Sequence, residues 1–340
     1  MTDPADSAPV ADECVTDGRV TEGLPPSARR VATRRFPRTP LRKVRISAAP
    51  VRCGIPKILH QTFYSRDLPQ DVADNIGRLR AANPDWEYRF YDESAIRAFI
   101  GEAYGEDVLA HFDALDPDYG AAKADLFRYL VVYSCGGVYL DIKSTLNAPL
   151  DNLLSATDSY LVSHWRNRAG EEFEGWGVHR ELKRFGGEEL QQWYIAASPG
   201  HPLLRAVIGR VCRNIRRYNP AIAGVGRRGV LNVTGPIAYS AAILPLLPRY
   251  PHRVVSREAT GFEYSIWSAQ AHRTRLAGHY STLNSPLVQS GPFTGLIASA
   301  VTAARALRSK FTNSPEPRPH GPPIGRPRPA AHAADAGETS

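Results

Sequence analysis

The stretch from Tyr119 to Asp151, YGAAKADLFRYLVVYSCGGVYLDIKSTLNAPLD, constrains the fold of this chain more than any other. Its apolar period changes from 3.6 to 2 across two glycines. Leu126, Tyr129, Leu130 and Tyr133 fall at i, i+3, i+4 and i+7, the stripe of an α-helix. Asp125 and Arg128 are three apart on a neighbouring face, so the helix offers a paired acceptor and cation. Gly136-Gly137 stops it, because glycine takes the left-handed C-terminal position without penalty. A strand then follows, with Val138, Leu140 and Ile142 on one side and Tyr139, Asp141 and Lys143 on the other. Such a strand delivers a tyrosine, a carboxylate and an ammonium to one edge, as a polar ligand requires. As single residues, Asp125 and Arg128 read as a surface ion pair of little value.

The surrounding pattern alternates strand and helix. Lys57 to Phe63 reads as a buried first strand, and Pro69 to Ala82 as a helix with Val72, Ile76 and Leu79 inward. Asn83-Pro84-Asp85 is a turn, Trp86 to Tyr91 a second strand, and Asp92-Glu93-Ser94 opens another helix. This alternation predicts an α/β domain over 55–288, its mostly parallel central sheet flanked by helices. Ligands of such sheets sit beyond the carboxyl ends of the strands, where His60 to Phe63 and Asp141 emerge.

The ends differ from the middle. Arg29 to Arg52 holds nine basic residues, no acidic ones and three prolines, so residues 1–54 read as a disordered basic arm. Residues 289–314 read as a basic amphipathic helix, and 315–340, rich in Pro, Ala and Gly, as a disordered tail. Arm and helix are suited to peripheral contact with an anionic membrane. The net charge of +8 resides mostly in these tails, which argues against a nucleic-acid groove on the folded body. No apolar run approaches a membrane span, and MTDPADSAPVADE lacks the features of a secretory signal. The location expected is cytoplasmic or peripheral to the inner face of the membrane. The four cysteines show neither close pairing nor zinc spacing and read as reduced bystanders.

Ala124-Asp125-x-x-Arg128, Gly136-Gly137 and Tyr139-x-Asp141-x-Lys143 resemble the signature of glycosyltransferase family 32, the DxD-motif sugar transferases. That family includes fungal initiating mannosyltransferases and bacterial capsular-polysaccharide transferases. IPKILHQTF resembles its opening segment, with Phe63 in place of tryptophan, and ANPDWEYRFYDE its second strand. Gln192 to Ala197 and Val233-Thr234-Gly235-Pro236 resemble later segments. The resemblance covers about Ile55 to Asn284.

What the resemblance implies is a GT-A type fold and retaining transfer from a UDP- or GDP-sugar to a glycan, polysaccharide or lipid-linked acceptor. Asp125 and Arg128 would hold the donor's ribose and sugar, with Tyr139 nearby. Phe63 would lie against the base, and Asp141 would meet the donor. Thr234, Gly235 and Pro236 would face the acceptor. A divalent cation, Mn²⁺ or Mg²⁺, would neutralise the departing diphosphate. Lys143 stands where the motif's second acid is expected, and a protonated ammonium cannot ligate a metal. Three readings stay open. Lys143 itself neutralises the pyrophosphate; or Asp141 binds metal with a C-terminal ligand, His279, Asn284 or Ser285; or the site is a degenerate, non-catalytic sugar-nucleotide or carbohydrate binder.

Other residues carry weaker signals. His60 reads as a hydrogen-bonded structural histidine, and Trp165 to Trp176 as a polar acceptor loop. Asn232-Val233-Thr234 is a chance glycosylation sequon, and Gly224-Val225-Gly226 lacks the context of a dinucleotide site.

Overall fold

The structure is a computed structural model and describes residues 41–50, 54–256, 260–267 and 282–289, all in one compact unit. Strand β1 (Ile58–Thr62) is followed by α1 (Gln70–Ala82), β2 (Glu87–Tyr91), α2 (Glu93–Tyr104), α3 (Glu106–Asp113) and α4 (Gly120–Cys135). After β3 (Gly137–Leu140) come β4 (Thr145–Leu146), the single turn α5 (Leu150–Leu153) and β5 (Leu161–Val162). A long excursion leads to β6 (Tyr194–Ala197), then to α6 (Pro202–Arg216), α7 (Pro220–Ala223), α8 (Gly226–Val233) and α9 (Pro236–Ile243). Short strands β7 (Arg253–Val254) and β8 (Phe262–Glu263) complete the set.

The central sheet has the order β2-β1-β3-β6, with β1 parallel to both β2 and β3 and β6 antiparallel at the edge. It is the α/β, mostly parallel sheet flanked by helices that the alternating pattern predicts. Local chemistry fixes the elements at the expected places. Asp92 caps α2 by accepting from the Ala95 amide at 2.9 Å, satisfying an amide that the first turn leaves orphaned.

Gly136 (φ +69°) and Gly137 (φ +93°) let α4 run directly into β3. A Cβ on Gly137 would lie 2.4 Å from the Ile58 carbonyl oxygen, and one on Gly136 2.6 Å from Pro199 Cδ. Only glycine fits either position. His60 is fully buried behind this joint; one ring nitrogen faces the Gly136 carbonyl at 2.9 Å and the other the Tyr91 hydroxyl at 3.1 Å. Burial pushes its pKa down to about 4, so it is the structural histidine expected.

Several expectations need correction. Helix α4 is not amphipathic: it is buried from Leu126 to Tyr133 on every face, Asp125 and Arg128 included. It crosses the middle of the molecule, between the sheet and α6. Strand β3 ends at Leu140, and Asp141 to Ser144 form a turn closed by the Ser144 amide on the Asp141 carbonyl at 2.9 Å. The end of the basic arm is not loose, either. Tyr133 donates to the Ser47 carbonyl at 2.7 Å and accepts from the Ala49 amide at 3.2 Å, while Leu41, Val44 and Ile46 pack on the core. These three apolar residues outweigh the charge around them. Finally, Gly226–Arg249 is long and apolar enough to cross a membrane by composition, contrary to the sequence reading. Gly235 and Pro236 break it, and 61% of its apolar window is buried, so the fold uses it as core. The remainder of the arm, the 289–314 helix and the 315–340 tail lie outside the described residues, except Gln289.

Candidate active site

Asp141 emerges at the carboxyl end of β3, its amide donating to the Trp193 carbonyl at 2.9 Å and its own carbonyl accepting from Gln61 at 3.2 Å. Arg128, two turns before the end of α4, reaches the same point. Its Nη2 lies 2.8 Å from Asp141 Oδ1 and 3.4 Å from Asp125 Oδ1. Nη1 donates to the Gln192 carbonyl at 2.7 Å and to Gln192 Oε1 at 2.9 Å, and the guanidinium lies over the Tyr139 ring at 4.8 Å. Arg128 is thus a buried fork joining helix, strand and the segment before β6. Burial works against its charge, but Asp141, Tyr139 and Asp125 outweigh that and hold its pKa above the ordinary value.

Asp125 is held on three sides. Thr234 donates to Oδ2 at 2.9 Å, Gln192 to Oδ1 at 3.1 Å, and Arg128 supplies charge. Burial nevertheless raises its pKa, with Arg128 opposing. Tyr139 is buried and donates to Asp141 Oδ1 at 3.3 Å.

Lys143 is the least committed group. Its Nζ is 3.7 Å from Asp141 Oδ2, beyond hydrogen-bond reach, and lies over the Tyr264 ring at 3.8 Å. No hydrogen bond from this ammonium is found among the described residues. Its backbone is pinned: the Lys143 carbonyl accepts from the Ile266 amide at 2.8 Å, and Ser144 donates to the Tyr264 carbonyl at 2.8 Å. Two carboxylates and two cations therefore balance within the cluster, with the Lys143 N–H donors unspent among the described residues.

The other expected residues fall as follows. Phe63 is nearly buried beyond the end of β1, with Val72, Ile76 and Ile142, its ring 4.2 Å from that of Tyr64, which is 68% exposed. Thr234 and Gly235 are buried and support Asp125 from behind, so they offer an acceptor no open surface; Pro236 starts α9. Ser285 is described but sits elsewhere, its carbonyl on the Tyr119 hydroxyl before α4, and Asn284 is exposed beside it. His279 lies outside the described residues. The Trp165–Trp176 loop is not simply polar. Trp165, Phe173 and Trp176 surround Tyr264, the seat of Lys143, at 5.1 to 6.2 Å, with Trp193 on the same ring at 5.6 Å.

Two residues that complete the site had little signal. Gln192, which bridges Asp125 and Arg128, lay within a segment noted only for its resemblance. Tyr264 stood in a loop with no pattern. A cavity of about 1110 Å³ lies at the opposite, amino end of the strands, lined by Val44, Ile46, Tyr104 and Cys135. It is far from the carboxyl ends of the strands, where sheet ligands bind.

The donor set among the described residues does not suit a divalent ion. Asp141 already faces a guanidinium and an ammonium, and among the described residues no three His, Cys, Asp or Glu side chains group as a metal site.

Residues 69–160, from α1 to the edge of β5, match the family described as "glycosyltransferase sugar-binding region containing DXD motif". The match includes Asp125, Arg128, Tyr139, Asp141 and Lys143. These residues are similar to that family's sugar-binding region. Similar proteins include inositol phosphoceramide mannosyltransferase 3 of Schizosaccharomyces pombe, 34% identical over 165 residues, covering 48% of this chain and 38% of the relative. The initiation-specific alpha-1,6-mannosyltransferase of the same yeast is 26% identical over 212 residues, covering 58% and 50%. The chain spans half or less of the length of these relatives. Among solved structures, the UDP-bound glycosyltransferase domain from the YGT toxin overlays with a TM-score of 0.41 at 9% identity, covering 78% of this chain and 93% of that one. The similarity to sugar transferases rests on the sequence matches.

Proposed function

We propose that this chain is a glycosyltransferase of GT-A type that moves a sugar, with retention, from a UDP- or GDP-sugar to a glycan or lipid-linked acceptor. The observation that carries the reading is the Arg128–Asp141–Lys143 arrangement at the carboxyl end of β3. Departure of a nucleoside diphosphate builds negative charge on its oxygens, and catalysis needs positive charge already in position. Lys143 has unspent donors beside Asp141, as a cation for the diphosphate should. Asp141, aimed by Arg128 and Tyr139, is suited to hold donor-sugar hydroxyls and to face the developing oxocarbenium charge. Asp125 acts through Arg128 and Gln192, orienting the fork. Phe63 and the exposed Tyr64 offer aromatic surface for the base. The aromatic loop around Tyr264 is proposed as the acceptor side, in place of Thr234 to Pro236.

A metal enters this reading only through residues outside those described, so no step is assigned to one. The lysine in the motif favours a second reading, a nucleotide-sugar binder without turnover. One panel separates the two. UDP- and GDP-sugars are tested for a rise in melting temperature, which binding to the folded state produces, and for hydrolysis or transfer of the sugar. Transfer is expected; stabilisation without any turnover would select the binder, and neither effect would sink both. The location proposed is cytoplasmic or peripheral to the inner face of the membrane.

A further inference from the structure

The near-neutral sum of the folded body hides a strong segregation of charge. Residues 55–189 carry 14 basic and 23 acidic side chains, whereas residues 190–257 carry ten arginines and no acid. Much of that charge is gathered on one region. Arg210 and Arg213 lie one turn apart on α6, and Arg217 caps its end. Burial, then the like charges of Arg213 and of Arg184 on the Arg180–Phe185 3₁₀ turn, push the Arg210 pKa down. Arg228, at the start of α8, reaches Glu181 of the same turn at 4.0 Å. Tyr218 donates to the Gly224 carbonyl at 2.8 Å, and Asn214 to the Val233 carbonyl at 3.1 Å, tying α7 and α8 to the end of α6.

Among the described residues, Arg210, Arg213, Arg217 and Arg227 form no ion pair, and Arg210 Nε is buried without a hydrogen-bond partner. Unpaired arginines side by side repel one another, so their clustering costs stability unless an anionic partner offsets it. Between α6 and α8, α7 presents Ile222, 76% exposed. Cations around a projecting aliphatic side chain match an interface with anionic headgroups outside and acyl chains beneath. A nucleic acid would satisfy the charge but leaves Ile222 without a role.

We propose that the surface formed by the end of α6, α7 and the start of α8 docks on an anionic lipid bilayer, with Ile222 inserted among the headgroups. Helix α8 runs from this surface to Thr234, which holds Asp125, so the rise of a helix puts the candidate active site about 10 Å from the patch. Docking itself does not depend on the transfer reaction, and its test reads lipid binding alone.

The full chain is sedimented with phosphatidylcholine vesicles, with and without phosphatidylserine. The parent protein is expected to bind only the anionic vesicles and to be released by salt. Arg213→Glu/Arg217→Glu/Arg227→Glu, all exposed positions, is expected to lower the bound fraction by about tenfold or more, and Ile222→Ser by about threefold. Both should keep the parent melting temperature; should the triple variant unfold, Arg217→Glu alone is expected to lose about fivefold. Parent-like binding by the charge-reversed variants would overturn the proposal and assign lipid contact to the basic arm. Loss of duplex DNA binding in the triple variant, with Ile222→Ser indistinguishable from parent on vesicles, would also overturn it, making the patch a polyanion site.

Discussion

The Arg128 guanidinium lies 2.8 Å from the Asp141 carboxylate, and that contact ties the middle of α4 to the end of β3. It also places a buried cation against two carboxylates, since Asp125 is 3.4 Å away. Removing the cation leaves Asp125 only the neutral donors Thr234 and Gln192, and leaves Asp141 only Tyr139 and the more distant Lys143.

Arg128→Ala is therefore expected to destabilise the fold by about 3–5 kcal/mol, the cost of stranding a buried charge. Arg128→Lys should recover only part, because an ammonium cannot make the forked contact to Asp141 and Gln192 at once. Urea unfolding measures both. An alanine variant as stable as the parent would mean that Arg128 is a spectator.

Asp141→Asn and Lys143→Ala are expected to fold and to lose turnover by about 10²–10³-fold, the usual scale for removing one electrostatic contact to a transition state. Transfer should persist in EDTA, because Lys143 and Arg128 already supply the positive charge at Asp141. Silencing by EDTA with rescue by Mn²⁺ would instead place a metal at Asp141, held by a ligand such as His279.

Stability should fall as pH drops from about 6.5 to about 4. Burial depresses the folded-state pKa of His60 to about 4, so in this window the unfolded chain binds a proton that the folded chain does not. The contribution is complete above the unfolded value and lost on acidification, at most about 3 kcal/mol. His201, also depressed to about 4 by burial, adds to the slope. Denaturant midpoints across this range test it, and His60→Asn should flatten the curve.

Deleting residues 1–40 is expected to leave the melting temperature near that of the parent, whereas deleting 1–50 should lower it by several degrees. The second cut removes Leu41, Val44 and Ile46 from the core surface and the Ser47 and Ala49 partners of Tyr133. Differential scanning calorimetry of the two truncations distinguishes them.

The elements that sequence made legible are those with a local cause. Pro69, Asp92 and Gly136-Gly137 mark helix ends by steric and hydrogen-bonding rules, and the strands from Lys57 and Trp86 carry dense β-formers. Of the site, Asp125, Arg128, Tyr139 and Asp141 were picked out, and all four meet. Their burial was not legible. Nothing local says that Asp125 and Arg128 lie inside, because the groups that cover them, Gln192 and Thr234, arrive from distant segments. Tyr264 escaped for the same reason: its role is the position of its ring under Lys143, which only the β4–β8 pairing creates. The arginine patch is hidden within a nearly neutral body, because the acidic excess of residues 55–189 cancels the arginines of 190–257.

The glycine pair between α4 and β3 works as a ruler. Ile58 and Pro199 press on the joint so closely that the chain has no room to lengthen there. The sequence interval between the guanidinium and the carboxylate is thus dictated at the far end of the strand, by backbone contact that no donor ever touches. Insertions that alter what this protein accepts can accumulate after Ser144, but one between Cys135 and Val138 would turn Asp141 away from Arg128 and take the chemistry with it.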